Sequence, residues 1–353
     1  MIHSGFWAFA DFTLRLLSAM PTQHRPLRPD GWVARVEMLG KAFTIPPMYR
    51  TWVILRHTFL DTVIQPIYSM LLMLGVAILV IFAMLPFFTL GEDMIMFKSV
   101  GLDVIHLLVL IGTLFATSRC IYEEIEDRSM LTLMSKPVTK WEVLLGKYLG
   151  IICAAAVAVV ALGVVISLCA WARIPGDYMI RTRTINDEEI RQLHDLRMMH
   201  LAGLFPSLVL AWLQISVLAA IGVALSTRFS LVVNLPAVIL LYIAGNLTRF
   251  LEPIWGNVAG SVMEGRSGVV KCLAQGLVVV LPYLEHFDIR QAGISGKIAL
   301  AGTAFANDPQ AYSLGAVWGS VGLAVIYALC YVTFALLAGM VMFQNRELGG
   351  AEG

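Results

Sequence analysis

The sequence predicts an all-α, polytopic membrane protein with six transmembrane helices. Three observations carry this. Of 353 residues, 58% are hydrophobic and 14% charged, with a mean hydropathy of +0.78. A soluble chain of this length needs a charged shell that such a composition does not supply. Six apolar stretches are close to or beyond the roughly 20 residues that cross a bilayer as a helix. Charges gather between these stretches and leave their interiors mostly clean.

Residues 1–65 read as an N-terminal region with interfacial helices. Phe6–Met20 is apolar but short, and Asp11 and Arg15 interrupt it. That suits a helix on the membrane surface, and the lack of a basic leader argues against a signal peptide. Residues 46–65 begin with two prolines, which suit a helix N-terminus. In that helix Arg50, Arg56 and Asp61 face headgroups, while Trp52, Ile54, Leu55 and Phe59 dip inward. It reads as an interfacial anchor, with a moving elbow as the sharper alternative.

The spans are expected at Pro66–Phe88, Val100–Ser118, Leu149–Ala172, Leu201–Ser226, Leu231–Leu247 and Leu314–Phe343. Only Thr227–Ser230 separates the fourth from the fifth, which makes a tight hairpin. An even number of spans puts both termini on one side. That side carries 14 of the 25 Lys and Arg, which favours cytoplasmic termini. Val269–Leu284 is too short to cross, with Lys271 near one end and Pro282 near the other. It reads as a re-entrant or interfacial helix before the last span. The expected division is 1–65, a transmembrane domain over 66–343, and a cytoplasmic tail over 344–353.

A net charge of +1 gives no sign of a nucleic-acid partner. The five cysteines are scattered and form no CxxC pair, so neither a disulfide framework nor a zinc site is expected. Asp103 and His106 stand one turn apart near the outer end of the second span. Ionisable groups in a span are candidates for a substrate or proton pathway. The loop 173–200 holds NDEEIRQLHDLRMMH, read as a charged helix outside the membrane. His194, Met198, Met199 and His200 have soft-metal ligand chemistry, but such residues more often pack or solvate a helix, so no metal site is assigned. Phe343–Glu347 reads as a polar stop after the last span.

The segment from Cys120 to Gly150 differs from its surroundings. It reads CIYEEIEDRSMLTLMSKPVTKWEVLLGKYLG. Arg119/Glu123 and Glu124/Arg128 are i,i+4 pairs that support a helix continuing out of the second span. Pro137 ends that helix. Thr139 followed by Glu142 forms a capping box for the next. Trp141 suits the headgroup level, and Lys147 is expected to snorkel as the third span begins. The result is a short charged helix, a sharp turn and a helix re-entering the bilayer.

Glu124, Glu126, Arg128, Ser129, Leu133, Ser135, Pro137, Val138, Thr139, Lys140, Gly146 and Lys147 resemble the corresponding loop of ABC-2-type ABC transporter permeases. Many family members have Gly-Thr where this chain has Arg128-Ser129, and the Arg-Ser form resembles permeases of the copper-processing subgroup. The resemblance implies a permease subunit of an exporter in the cell inner membrane. It implies a coupling helix within 120–147 that docks on a separate cytoplasmic P-loop ATPase. The coupling residues would be Glu123, Glu124, Glu126, Arg128, Pro137, Thr139, Gly146 and Lys147. ATP and magnesium would sit on that partner, with no cofactor on this chain and no catalytic residue. A second permease subunit would complete the pathway.

Gly146-Lys147 is followed by Tyr148 and lacks the upstream glycine of a phosphate-binding loop, so no Walker A motif stands here. Two other classes stay open from the residues. A secondary transporter predicts mid-span ionisable pairs and internal repeats. A membrane-embedded enzyme predicts an acid–base or metal cluster at a span end. A further variant keeps the ABC architecture but transmits force instead of moving cargo.

Overall fold

The computed structural model describes residues 47–85, 93–126, 138–177, 187–261, 282–287, 298–299 and 312–344. Among these the chain is almost entirely helical. In order run α1 (Pro47–Ile64), α2 (Pro66–Met84), α3 (Asp93–Arg119), the short α4 (Tyr122–Glu126), α5 (Lys140–Asp177), α6 (Asp187–Ser226), α7 (Leu231–Ser261) and α8 (Leu314–Gln344). A 3-10 turn at Leu284–Phe287 and two paired two-residue strands, β1 (Ile298–Ala299) and β2 (Tyr312–Ser313), precede α8. Ser313 then caps α8, its Oγ accepting from the backbone N–H of Ala316 at 3.2 Å.

Five helices are long and apolar enough to cross a membrane: Pro66–Met84, Asp93–Glu126 (through α4), Lys140–Ile174, Leu193–Ser226 and Leu314–Gln344. Each coincides with an expected span. The sixth expected span falls on α7, whose apolar stretch Leu231–Asn246 is shorter than the other five. The first and last residues of the helices differ from the expected spans. α6 runs unbroken for 40 residues, so the charged segment 187–200 is the first part of the fourth span's helix and no separate element. At 1.5 Å per residue that is about 60 Å, roughly twice the hydrocarbon core. Charged side chains are costly inside that core, which places the Asp187–Arg197 end beyond it. Pro206 lies inside α6, and nearby the Ser207 hydroxyl bonds the Gly203 carbonyl at 3.0 Å.

α3, α6 and α8 end where α5 begins, so α5 runs antiparallel to all three, and α6 is the central member. The rest of the chain buries 67% of its span, against 11% for the peripheral α2. One apolar core joins α2, α3, α5 and α6 around Leu79, Phe97, Ile105, Leu162 and Ile166. A second joins α3, α4, α5, α6 and α8 at the end where α5 begins, around Ile121, Ile125, Leu144, Ile151 and Phe343. Lipid is as apolar as leucine, so packing rather than water expulsion holds such helices together.

Close approach is paid in glycine. A Cβ on Gly146 would lie 2.9 Å from Ile54 Cβ, and one on Gly150 2.7 Å from the Leu55 carbonyl oxygen. The GKYLG run thus lets α1 lie against the start of α5, backbone to backbone. Ile54, Leu55 and Phe59 are half-buried, whereas Trp52 is exposed.

The turn after Pro282 links α7 to α8. Tyr283 donates its backbone N–H to the Tyr327 hydroxyl at 2.8 Å, and the Pro282 carbonyl and Leu284 press on Gly245. The expected surface helix at Phe6–Met20, most of the re-entrant candidate Val269–Leu284, and the tail beyond Gln344 lie outside the described residues.

Candidate functional site

A turn at Cys120–Ile121 separates α3 from α4. α4 is held on two sides. Ile121 and Ile125 are buried in the second core. Lys147, two turns along α5 from its start, reaches back to α4, its Nζ 2.6 Å from Glu124 Oε2. The same ammonium donates to the Cys120 carbonyl, which caps the end of α3. Lys147 therefore does not snorkel. Its side chain is 4% exposed, because two acceptors inside the fold meet it there.

The start of α5 carries the expected capping box. The Thr139 backbone N–H donates to Glu142 Oε2 at 2.8 Å, and the Glu142 backbone N–H donates to Thr139 Oγ1 at 3.3 Å. Arg119 pairs with Glu123 at 2.7 Å, the i,i+4 contact read from the sequence. Glu126, the last residue of α4, is exposed. Gly146 is the packing glycine under α1. Arg128 and Pro137 lie outside the described residues. Of the eight candidate coupling residues, the structure thus brings Glu123, Glu124, Glu126, Thr139, Gly146 and Lys147 to one end of the bundle.

The hairpin between α6 and α7 shares that end. Cys120 Sγ lies 3.6 Å from Ser226 Oγ. Thr227 and Asn234 are fully buried, Thr227 bonding the Ala224 carbonyl and Asn234 the Gly222 carbonyl. Arg228 and Phe229 stand exposed on this rigid turn.

The Asp103/His106 pair on α3 splits by environment. Asp103 is exposed, and His106 is buried with its ring 5.7 Å from Tyr242 of α7. A polar clamp missed in the sequence lies at the opposite end from α4. Lys98 is fully buried, with Nζ 2.9 Å from His200 Nδ1. Arg173 bonds the Phe82 and Leu85 carbonyls at the end of α2, each at 3.0 Å, and lies over the Phe97 ring. Arg197 stacks on Trp171 at 3.8 Å. Of the four soft-metal candidates, His200 is thus engaged by Lys98, while His194 and Met198 are exposed. The signal available in the sequence was a lone cation near each end of an apolar run: Lys98 before one, Arg173 after another.

Five helices long and apolar enough to cross a membrane, with a capped helix start at one end, are the fold of a multi-pass membrane protein. The profile of the ABC-2 family transporter protein matches residues 80–348, and the chain belongs to that family. It is accordingly a membrane permease subunit of an ABC transporter. No curated protein matches the sequence.

Proposed function

We propose that the protein is the permease of an ATP-driven exporter in the cell inner membrane. It crosses six times, with α7 completing the count, and keeps both termini in the cytoplasm. A second permease subunit pairs with it, and a separate P-loop ATPase holds the ATP and magnesium. The 120–147 region forms the coupling element. The Arg128-Ser129 pair favours the copper-processing subgroup. The observation that carries this reading is a tie: α4, a short acidic helix, is pinned by Lys147 to the capped start of α5. Such a tie passes a push into two spans, which a loosely solvated loop does not do.

Glu126, exposed at the tip of α4, is the contact that faces the ATPase. Glu123 and Glu124 shape the element from within through Arg119 and Lys147. The test is purification from native membranes in mild detergent with identification of every co-eluting chain. A stoichiometric P-loop ATPase is the expected outcome. Its reproducible absence from a folded preparation would overturn the proposal and return attention to Asp103, His106 and a secondary transporter.

A further inference from the structure

Lys140 is the first residue of α5, and its backbone is fixed by the Thr139–Glu142 capping box. Its side chain turns away from α4, toward the far end of the chain. Nζ donates to the Phe343 carbonyl at 3.1 Å and the Gln344 carbonyl at 3.4 Å, and lies 5.1 Å from the Phe343 ring centroid. These are the last two residues of α8. The last carbonyls of a helix have no intrahelical donor, and a cation there meets the negative end of the helix dipole. The ring face adds attraction for the same charge.

The surroundings leave little slack. Phe343 is fully buried in the second core. At Gly339 a Cβ would lie 2.8 Å from Ala224 Cα of α6 and 3.7 Å from Leu144 of α5. α8 thus rests against α6 and is tied by Lys140 to the start of α5. Lys147, two turns further along α5, ties the same segment to α4. Two lysines on one helix start therefore bind two different neighbours.

We infer that Lys140 is a positioning residue that makes the end of the last span part of the coupling element, so that α4, the start of α5 and the end of α8 move as one body. This rests on the permease reading above and adds to it a span that the 120–147 region alone does not contain. Force applied at α4 then reaches the last span through Lys147, the start of α5 and Lys140.

The test uses the permease purified with its ATPase, as wild type, Lys140→Met and Lys140→Arg. Amide hydrogen exchange is followed by mass spectrometry with and without ATP and vanadate. In the wild type, nucleotide changes exchange in 138–146 and in 336–344 together. In Lys140→Met the response stays in 138–146 and is lost in 336–344, and Lys140→Arg restores it. Without nucleotide, Lys140→Met speeds exchange at 340–344 by about two- to five-fold, the change expected when a cation leaves a helix C-terminus. Exchange in 148–156 stays unchanged, which separates loss of the tie from general destabilisation. A wild-type response at 336–344 in Lys140→Met overturns the inference. Absence of an ATPase from the wild-type preparation overturns the permease reading and this inference together, and is seen before any variant is compared. If Lys140→Met does not fold, Lys140→Gln is read in its place.

Discussion

At the scale of single residues, the seam between α1 and α5 depends on hydrogen atoms where other residues carry carbon. Gly150→Val places a branched side chain against the Leu55 carbonyl and Thr58, where a Cβ already lies 2.7 Å from both. Neither backbone nor a Cβ yields as the tip of a long side chain does. Overpacking of this kind costs about 1–3 kcal/mol. Thermal unfolding in detergent should fall for Gly150→Val. It should stay within the scatter of wild type for Gly315→Ala, whose Cβ would meet nothing within 4 Å. Equal losses at both sites would show that the seam is not special. The glycines were legible as a GKYLG spacing, yet the sequence reading weighed Gly146 only through the family resemblance. Nothing local says which neighbour a glycine makes room for, because that neighbour comes from a helix before the first span.

At the scale of elements, Lys147 is where charge and backbone meet. Lys147→Met keeps the length of the side chain and removes the ammonium that Glu124 and the Cys120 carbonyl share. The loss of a buried charged hydrogen bond costs about 1–3 kcal/mol. Exchange of the α4 amides should rise with the cost, while the apolar middle of α5 stays protected. Unchanged protection of α4 would make the buried lysine a bystander. The capping box could be read from Thr139 and Glu142 because both partners lie within one turn. The Glu124–Lys147 pair could not, since i,i+4 reasoning pairs Glu124 with Arg128 and sees no further along the chain. Hydropathy located the apolar middle of each long helix but not its ends. That is why the 187–200 segment read as a flanking element, although it belongs to the helix that follows. The Lys98–His200 contact joins two spans far apart in sequence and was invisible for the same reason.

At the scale of the whole molecule, the two acidic positions of α4 should behave differently. Glu126→Lys reverses a charge on an exposed tip. It should weaken ATPase co-purification and leave the unfolding temperature near that of wild type. Glu124→Lys sets a second cation beside Lys147, and should lower both. If the two variants lose the ATPase equally at equal stability, Glu124 contacts the partner as well. The family match fixes what kind of subunit this is, while the assignment of work to each charge comes from the contacts. The helix α5 has a consequence at this scale too. Between Lys140 and Ile174 it contains no proline, and Arg173 near its far end grips the end of α2. A straight helix of those 35 residues is about 52 Å long, so each half is a lever arm of about 26 Å. If such a rod pivots at its midpoint, a tilt of about 10° carries its two tips about 5 Å in opposite directions. Whatever swings the Lys140 tip inward therefore pulls the Arg173 tip outward, with no joint between them to absorb the stroke.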